Sequence, residues 1–321
     1  MKKKVGVIFG GRSGEHEISI RSAKTVIENI NSDKYDVIPI AIMNDGRWLS
    51  PAQSVRQFPE HTQQTFVDNL GEASNALVAL TGDTPPRGLT VLDGEGGTMP
   101  LDVIFPVLHG TYGEDGTIQG LCEMADLPYV GCGVLASSCG MDKAIMKVLF
   151  RDAGLPICDY VWFLRHEWES NREITIDQIE SKLGFPCFVK PANLGSSVGI
   201  SRADDRANLT AAISLAAEYD RKIIVEESLE MREIECAVMG NNNPVASLPG
   251  EYIIRDESKK FLDYTEKYTG TGNNEFVVPA HLSDDLTARI RQMAITAFKA
   301  VDGSGLARVD FFLRSDTGAV L

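Results

Sequence analysis

Residues 185–201, Phe-Pro-Cys-Phe-Val-Lys-Pro-Ala-Asn-Leu-Gly-Ser-Ser-Val-Gly-Ile-Ser, decide how the rest of the chain is read. The apolar run 187–189 has the length and composition of a buried strand, and Pro191 holds the preceding Lys190 in an extended conformation. A cation is thereby delivered at a strand end. Gly195-Ser196-Ser197-Val198-Gly199 then offers two positions without Cβ, two hydroxyls and several amide N–H groups, as a loop folding over phosphate oxygens requires. The same residues also read as an ordinary hairpin with an exposed lysine, because a glycine-rich loop by itself says little.

Downstream, residues 209–219 read as a helix, 223–225 as a strand ending in Glu226-Glu227, and 234–239 as the next strand. The polar stretch 255–274, rich in Lys and Tyr and carrying Lys267 and Tyr268, has the length of a lid or a disordered loop. Residues 286–301 form an amphipathic helix, and 307–312 a strand that places Arg308 and Asp310 on one face. Upstream, Met141-Asp142-Lys143 starts a helix carrying Ile145, Met146, Leu149 and Phe150. Lys143 in a first helical turn is misplaced by roughly a few tenths of a kcal/mol, which a bound anion would offset. A lysine pointing into water remains the other reading.

The chain opens with a buried strand at 5–9, the break Gly10-Gly11, and a helix on which Ile18, Ile20, Ala23, Ile27 and Ile30 recur. Arg12 stands where a dinucleotide fingerprint needs its second glycine, so nicotinamide or flavin binding is disfavoured. Glu15-His16-Glu17 lies near the mouth of the sheet, where ligands of open α/β sheets bind, although acidic residues also suit a solvated first helical turn. Residues 37–43 form a second strand, and 44–100, with mixed turns, resemble an insertion. The apolar run 103–108 reads as a parallel strand covered on both faces. It leads into 109–120, where four glycines surround His109, Glu114 and Asp115. A plain connector needs one or two such glycines; four suggest backbone brought close to a ligand. Asp115 or Thr117 can cap the helix that follows, and 128–133 reads as a strand crossing into a second domain.

Length sets the frame: 321 residues, 43% hydrophobic and 24% charged, predict two or three domains. A formal net charge of −14 argues against nucleic-acid or anionic-membrane partners, which need clustered cations. Six cysteines without a Cys-x-x-Cys pair suit reduced thiols of a cytoplasmic protein rather than disulfides or zinc. The apolar run after Lys2-Lys3-Lys4 is too short for a signal peptide, and nothing approaches a membrane span.

Together, Lys143, Lys190 and Lys267, a Gly-Ser loop, and an Asp beside an Arg describe a nucleoside triphosphate site without a P-loop, since no Gly-x-x-x-x-Gly-Lys-Ser/Thr occurs. In these motifs the chain resembles the D-alanine–D-alanine ligases of the ATP-grasp superfamily. The resemblance rests on the run 109–120, on Gly10-Gly11-Arg12-Ser13-Gly14-Glu15-His16-Glu17, on Met141-Asp142-Lys143, on Lys190-Pro191 with the loop 195–199, and on Arg308-Val309-Asp310, five motifs in order along the chain.

The resemblance implies an α/β fold, with a Rossmann-like domain at 1–130 and a two-part ATP-grasp fold at 131–226 and 227–321. It implies ligation of two D-alanines through an acyl phosphate for peptidoglycan precursors, with ATP and magnesium or manganese, in a cytoplasmic homodimer. By similarity, Glu15 receives the first substrate's ammonium with His109 nearby, Arg308 stabilises the oxyanion, and Ser196 and Tyr268 join the glutamate in a hydrogen-bonded chain. Lys143, Lys190, Lys267, Ser196 and Ser197 would face the phosphates, Glu226, Glu227, Leu229 and Glu233 the adenosine, and Asp310 the metal. Tyr268 favours D-alanine as the second substrate, since similar enzymes that use D-lactate typically replace it. The family's Glu-x-Asn pair and Pro-Gly turn do not follow Asp310 before Leu321, so an incomplete chain with weak turnover is expected. An ATP-grasp ligase for another amino acid, or a non-catalytic nucleotide-binding protein, are the competing readings.

Overall fold

The strand Lys3–Gly10 is buried along six consecutive residues, so it needs cover on both faces and a partner at each edge. It has them. Tyr35–Ile42 and Val103–Pro106 flank it, both parallel, in a three-stranded sheet. The helix His16–Asn29 lays Ala23 and Ile27 against one face, while Ile8, Ile40 and Ile104 fill the core on the other. The computed structural model describes residues 2–66, 77–81, 87–92, 97–195, 198–254 and 274–321. It divides into two compact units, Met1–Val134 and Leu135–Leu321.

Within the first unit the stretch expected to be an irregular insertion contains a second sheet, the antiparallel Val78–Thr81, Gly88–Val91 and Thr98–Pro100. Strands of three and four residues give too few alternations for a period to register. Their side chains nonetheless reach the core, with Leu89 1% exposed. The strand expected at 128–133 is reduced to one parallel bridge, Ile104 to Tyr129, and the chain turns away at Gly131, which has φ +112°.

The second unit holds two sheets. In the first, all neighbours are antiparallel, in the order Tyr160–Leu164, Lys222–Glu227, Cys187–Pro191, Ser201–Ala203. Alternation divides it cleanly. Cys187, Val189, Ile223 and Val225 pack beneath the helices Arg172–Leu183 and Arg206–Tyr219, through Ile176, Ile179, Leu209 and Ile213. Residues one step along each strand, Lys190, Lys222, Ile224 and Glu226, therefore share the opposite face. On that face Ala144 of the helix Lys143–Asp152 packs against Tyr160 and Ile224.

In the second sheet Leu306–Arg314 pairs antiparallel along the whole of Met231–Met239, and Val245–Ala246, Gly250–Ile254 and Asn274–Val277 complete it. Ile234, Cys236, Val238, Val309, Phe311 and Leu313 are buried, and the helix Asp284–Ala300 brings Ile290, Ala294 and Phe298 to the core. Glu233, Glu235, Arg308 and Asp310 are left on the other side of the alternation. Most of the stretch 255–274 lies outside the described residues.

Gly10 has φ +85°, and a Cβ there would stand 2.4 Å from the Ile42 carbonyl oxygen. Gly10→Ala is expected to cost about 1–3 kcal/mol, read as a lower denaturant midpoint. Gly120 sits in the helix Thr117–Met124 with open space where a Cβ would go, so Gly120→Ala is expected to stabilise by about 0.5–1 kcal/mol in the same assay.

Candidate active site

The first unit's contribution is a pair of loops tied together by side chains. Ser19 Oγ accepts from Gly10 N at 2.8 Å and donates to the Val107 carbonyl, which fixes where the first strand ends and the helix begins. His16 Nδ1 lies 2.7 Å from the Gly11 carbonyl oxygen; that oxygen can only accept, so Nδ1 carries the proton. Ser13 Oγ donates to the His109 carbonyl at 2.7 Å and accepts from Glu15 N at 3.2 Å, joining the residue 10–17 loop to the loop after Val103–Pro106. Glu15 and His109 are thus brought together.

Gly110 lies between them. Its φ is +68°, and a Cβ there would approach Glu15 Oε2 to 2.7 Å, so the bare backbone is what leaves room for that carboxylate. Glu15 is buried, and His109 Nε2 is 2.9 Å from Ser22 Oγ. Glu114, given no role of its own in the sequence analysis, accepts from Gly110 N at 2.7 Å through Oε2 and holds the loop's shape. Its position four residues after Gly110 was the available signal. Asp115 accepts from Tyr112 N at 2.8 Å and from Thr117 N at 3.0 Å, but the N-cap is Gly116 without a side-chain cap bond, so neither Asp115 nor Thr117 caps the helix as expected.

The second unit gathers the cations. Register sets Lys190 opposite Ile224, one diagonal step from Glu226 on the same face, and the Lys190 ammonium donates to Glu226 Oε2. The other oxygen, Oε1, lies 3.0 Å from Lys147 Nζ. Burial opposes ionisation of Glu226, but Lys190 and Lys147 outweigh it and hold its pKa at about 2. Lys143 sits at the start of its helix behind Asp142, whose Oδ1 accepts from Ala144 N and Ile145 N, both at 3.1 Å. Its ammonium donates to the carbonyls of Pro191, Ala192 and Leu194, the residues that lead from the strand into the 195–199 loop. Dense protein around Lys143 and the like charge of Lys190 pull its pKa down to about 8, despite nearby carboxylates.

The other expected residues lie on the neighbouring strands and the turn between them. Glu227 Oε1 accepts from Asp159 N at 2.8 Å, and half-buried Leu229 links the two sheets. Glu233 stands opposite Phe312 on the second sheet, and Lys190 Nζ lies 5.8 Å from the Phe312 ring centroid. Lys190 therefore reaches from the first sheet to the second. Arg308 clasps Asp310 with two parallel bonds, Nε to Oδ1 at 2.7 Å and Nη2 to Oδ2 at 2.8 Å, with Glu235 3.4 Å from Nη1. Ser196, Ser197, Lys267 and Tyr268 lie outside the described residues. Among the described residues no cluster of three His, Cys, Asp or Glu side chains could hold a metal ion, so Asp310 offers one oxygen ligand and does not build a site by itself. Lys147 was missed by the sequence reading, although it follows Lys143 by one helical turn.

Comparison with known proteins accounts for both units. Residues 4–132 match the family model described as D-ala D-ala ligase N-terminus, and residues 149–321 match D-ala D-ala ligase C-terminus. The chain is 46% identical over 324 residues to the D-alanine–D-alanine ligase of Heliobacterium modesticaldum, covering 100% of this chain and 84% of the relative. It is 47% identical over 320 residues to that of Geobacillus kaustophilus, with the same coverage. Among solved structures, the VanG D-Ala:D-Ser ligase from Enterococcus faecalis superposes with TM-score 0.83 at 36% identity, covering 100% of this chain and 88% of that one. The D-alanine-D-alanine ligase from Coxiella burnetii gives TM-score 0.77 at 33% identity, covering 100% and 84%. With these matches along both units, the chain belongs to the D-alanine–D-alanine ligase family and is an ATP-dependent ligase of the ATP-grasp fold.

Proposed function

We propose that this ligase joins two D-alanines into D-alanyl-D-alanine for peptidoglycan precursors, and that the residues above carry the reaction as follows. The observation that supports this most is the second unit's cation cluster: Lys147 and Lys190 share one carboxylate, Glu226, while Lys143 donates to the backbone carbonyls that lead into the Gly-Ser loop. Two ammonium groups sharing one buried carboxylate, with a third beside them, suit an anionic ligand, and burial, then the like charge of Lys190, lowers the pKa of Lys143. A nucleoside triphosphate supplies that anion.

The carboxylate of the first D-alanine attacks the γ-phosphorus of ATP, ADP leaves, and an acyl phosphate forms. The amine of the second D-alanine then attacks the acyl carbon, loses a proton, and expels inorganic phosphate as the peptide bond closes. Glu15 receives the first substrate's ammonium, with His109 beside it. Arg308, held in a fixed plane by Asp310, stabilises the oxyanion of both steps. Lys143, Lys190, Lys267 and Ser197 bind the phosphates, and Glu226, Glu227, Leu229 and Glu233 frame the adenosine. Ser196 and Tyr268 serve in catalysis by similarity to the family, where excluding water protects the acyl phosphate from hydrolysis. Asp310 would supply one oxygen ligand to a magnesium or manganese ion accompanying the nucleotide, which would neutralise phosphate charge. The enzyme acts as a homodimer in the cytoplasm without nucleic-acid or membrane partners. Its net charge of −14 suits the reading without nucleic-acid or anionic-membrane partners.

D-Serine as the second substrate is the reading favoured by the likeness to VanG, whereas the curated relatives at 46–47% identity carry the D-alanine name. Phosphate release with magnesium-ATP and D-alanine alone, compared with L-alanine and with D-alanine plus D-serine or D-lactate, decides between them. Release with D-alanine alone is the expected result. Release only on adding D-serine or D-lactate transfers the assignment, and silence in every arm overturns it.

Lys143 adds a pH signature. An ammonium with a pKa of about 8 in the free protein is raised when a phosphate binds, so ATP affinity is full below that pH and falls as pH rises through it. The KM for ATP is expected to climb above about pH 8 in the natural chain and to stay flatter in Lys143→Arg, whose guanidinium does not titrate there.

A further inference from the structure

Lys147 lies one helical turn after Lys143 and is buried, 7% exposed against 4% for Glu226. Its Nζ makes three contacts that together fix it: Glu226 Oε1 at 3.0 Å, Cys158 Sγ at 3.0 Å, and the Tyr160 ring with its centroid at 5.5 Å. Glu226 meanwhile gives its second oxygen to Lys190. One carboxylate is therefore divided between two ammonium groups, one oxygen each. The Cys158 thiol is kept neutral because burial, and then the charge of Glu226, raise its pKa, so it can direct Lys147 without adding a competing anion.

Division matters because of what Lys190 would otherwise do. Facing a lone buried carboxylate, an ammonium forms a closed pair and has no reason to turn toward a third group. With Glu226 already balanced by Lys147, the cluster retains a net positive charge and Lys190 is held by only half of the carboxylate's field. We propose that Lys147 is a positioning residue for nucleotide binding: by occupying Oε1 of Glu226 it orients that carboxylate and leaves Lys190 available to a nucleotide phosphate. Lys147 need not touch the nucleotide. The inference rests on the reading of Lys190 as a nucleotide-binding residue.

Steady-state kinetics of the full chain, with ATP and D-alanine varied separately, test both layers in Lys147→Met, Lys147→Arg and Lys190→Met. Lys147→Met is expected to raise the KM for ATP about tenfold, leave the KM for D-alanine unchanged, and keep kcat within about threefold; Lys147→Arg recovers much of the loss. An unchanged KM for ATP in Lys147→Met, with the KM raised in Lys190→Met, overturns the positioning role and leaves the nucleotide site standing. Unchanged values in both overturn the nucleotide reading and this inference with it. A fall in kcat at constant KM for ATP marks a merely structural lysine and also overturns it. Should Lys147→Met fail to fold, Cys158→Ala removes only the thiol that directs the ammonium; the KM for ATP is then expected to rise by about two- to fivefold, and an unchanged KM counts against the proposal.

Discussion

A carboxylate buried in a sheet and held by two lysines organises the second unit. Glu226 could not stay ionised there alone, since burying an unpaired charge is prohibitive, and truncating one partner of a buried pair costs about 3–5 kcal/mol. Both cations must therefore arrive by construction. Lys190 arrives by strand register, one diagonal step across the ladder from Glu226. Lys147 arrives on the helix Lys143–Asp152, which is itself docked by Ala144 against Tyr160 and Ile224. A slip of one residue in the pairing of Cys187–Pro191 with Lys222–Glu227 would turn Lys190 into the apolar core and Val189 toward the charges. The helices packed over Val189 and Val225 resist that slip, so the apolar face of the sheet stabilises the geometry of its charged face.

The same division of labour recurs in the second sheet and in the first unit. Buried Ile234, Val309 and Phe311 beneath the helix Asp284–Ala300 leave Arg308 and Asp310 side by side on the other face, where a two-bond fork holds the guanidinium in one plane. In the first unit the strand Lys3–Gly10 is covered on both sides and can present chemistry only at its end. There hydroxyls replace sheet geometry: Ser19 bonds Gly10 and Val107, and Ser13 bonds His109 and Glu15. Short side chains that donate and accept at once let two loops share one conformation without a rigid element between them.

These constraints also explain which expectations fared less well. The run 44–100 resembled an insertion of turns because its strands are too short for alternation to register, and only packing of Leu89, Val78 and Leu80 into the core reveals a sheet. The strand expected at 128–133 has the right residues and one bridge, but Gly131 turns the backbone out of the ladder.

What the sequence determined by itself was whatever repeats locally: the apolar runs and helical spacings that set strand and helix, the proline that extends Lys190, the glycines around His109, and the ordered motifs that resemble the ligase family. These are properties of neighbours along the chain. Only the tertiary structure decided that Glu226 answers to Lys147 as well as Lys190, that Ser13 ties Glu15 to His109, and that Arg308 is clasped by Asp310 under the eye of Glu235. Lys147 and Glu226 stand 79 positions apart, Ser13 and His109 96 apart. Contacts of that separation leave no periodic trace in a single sequence, because they exist only once burial has made an unpaired charge or hydroxyl too costly to keep.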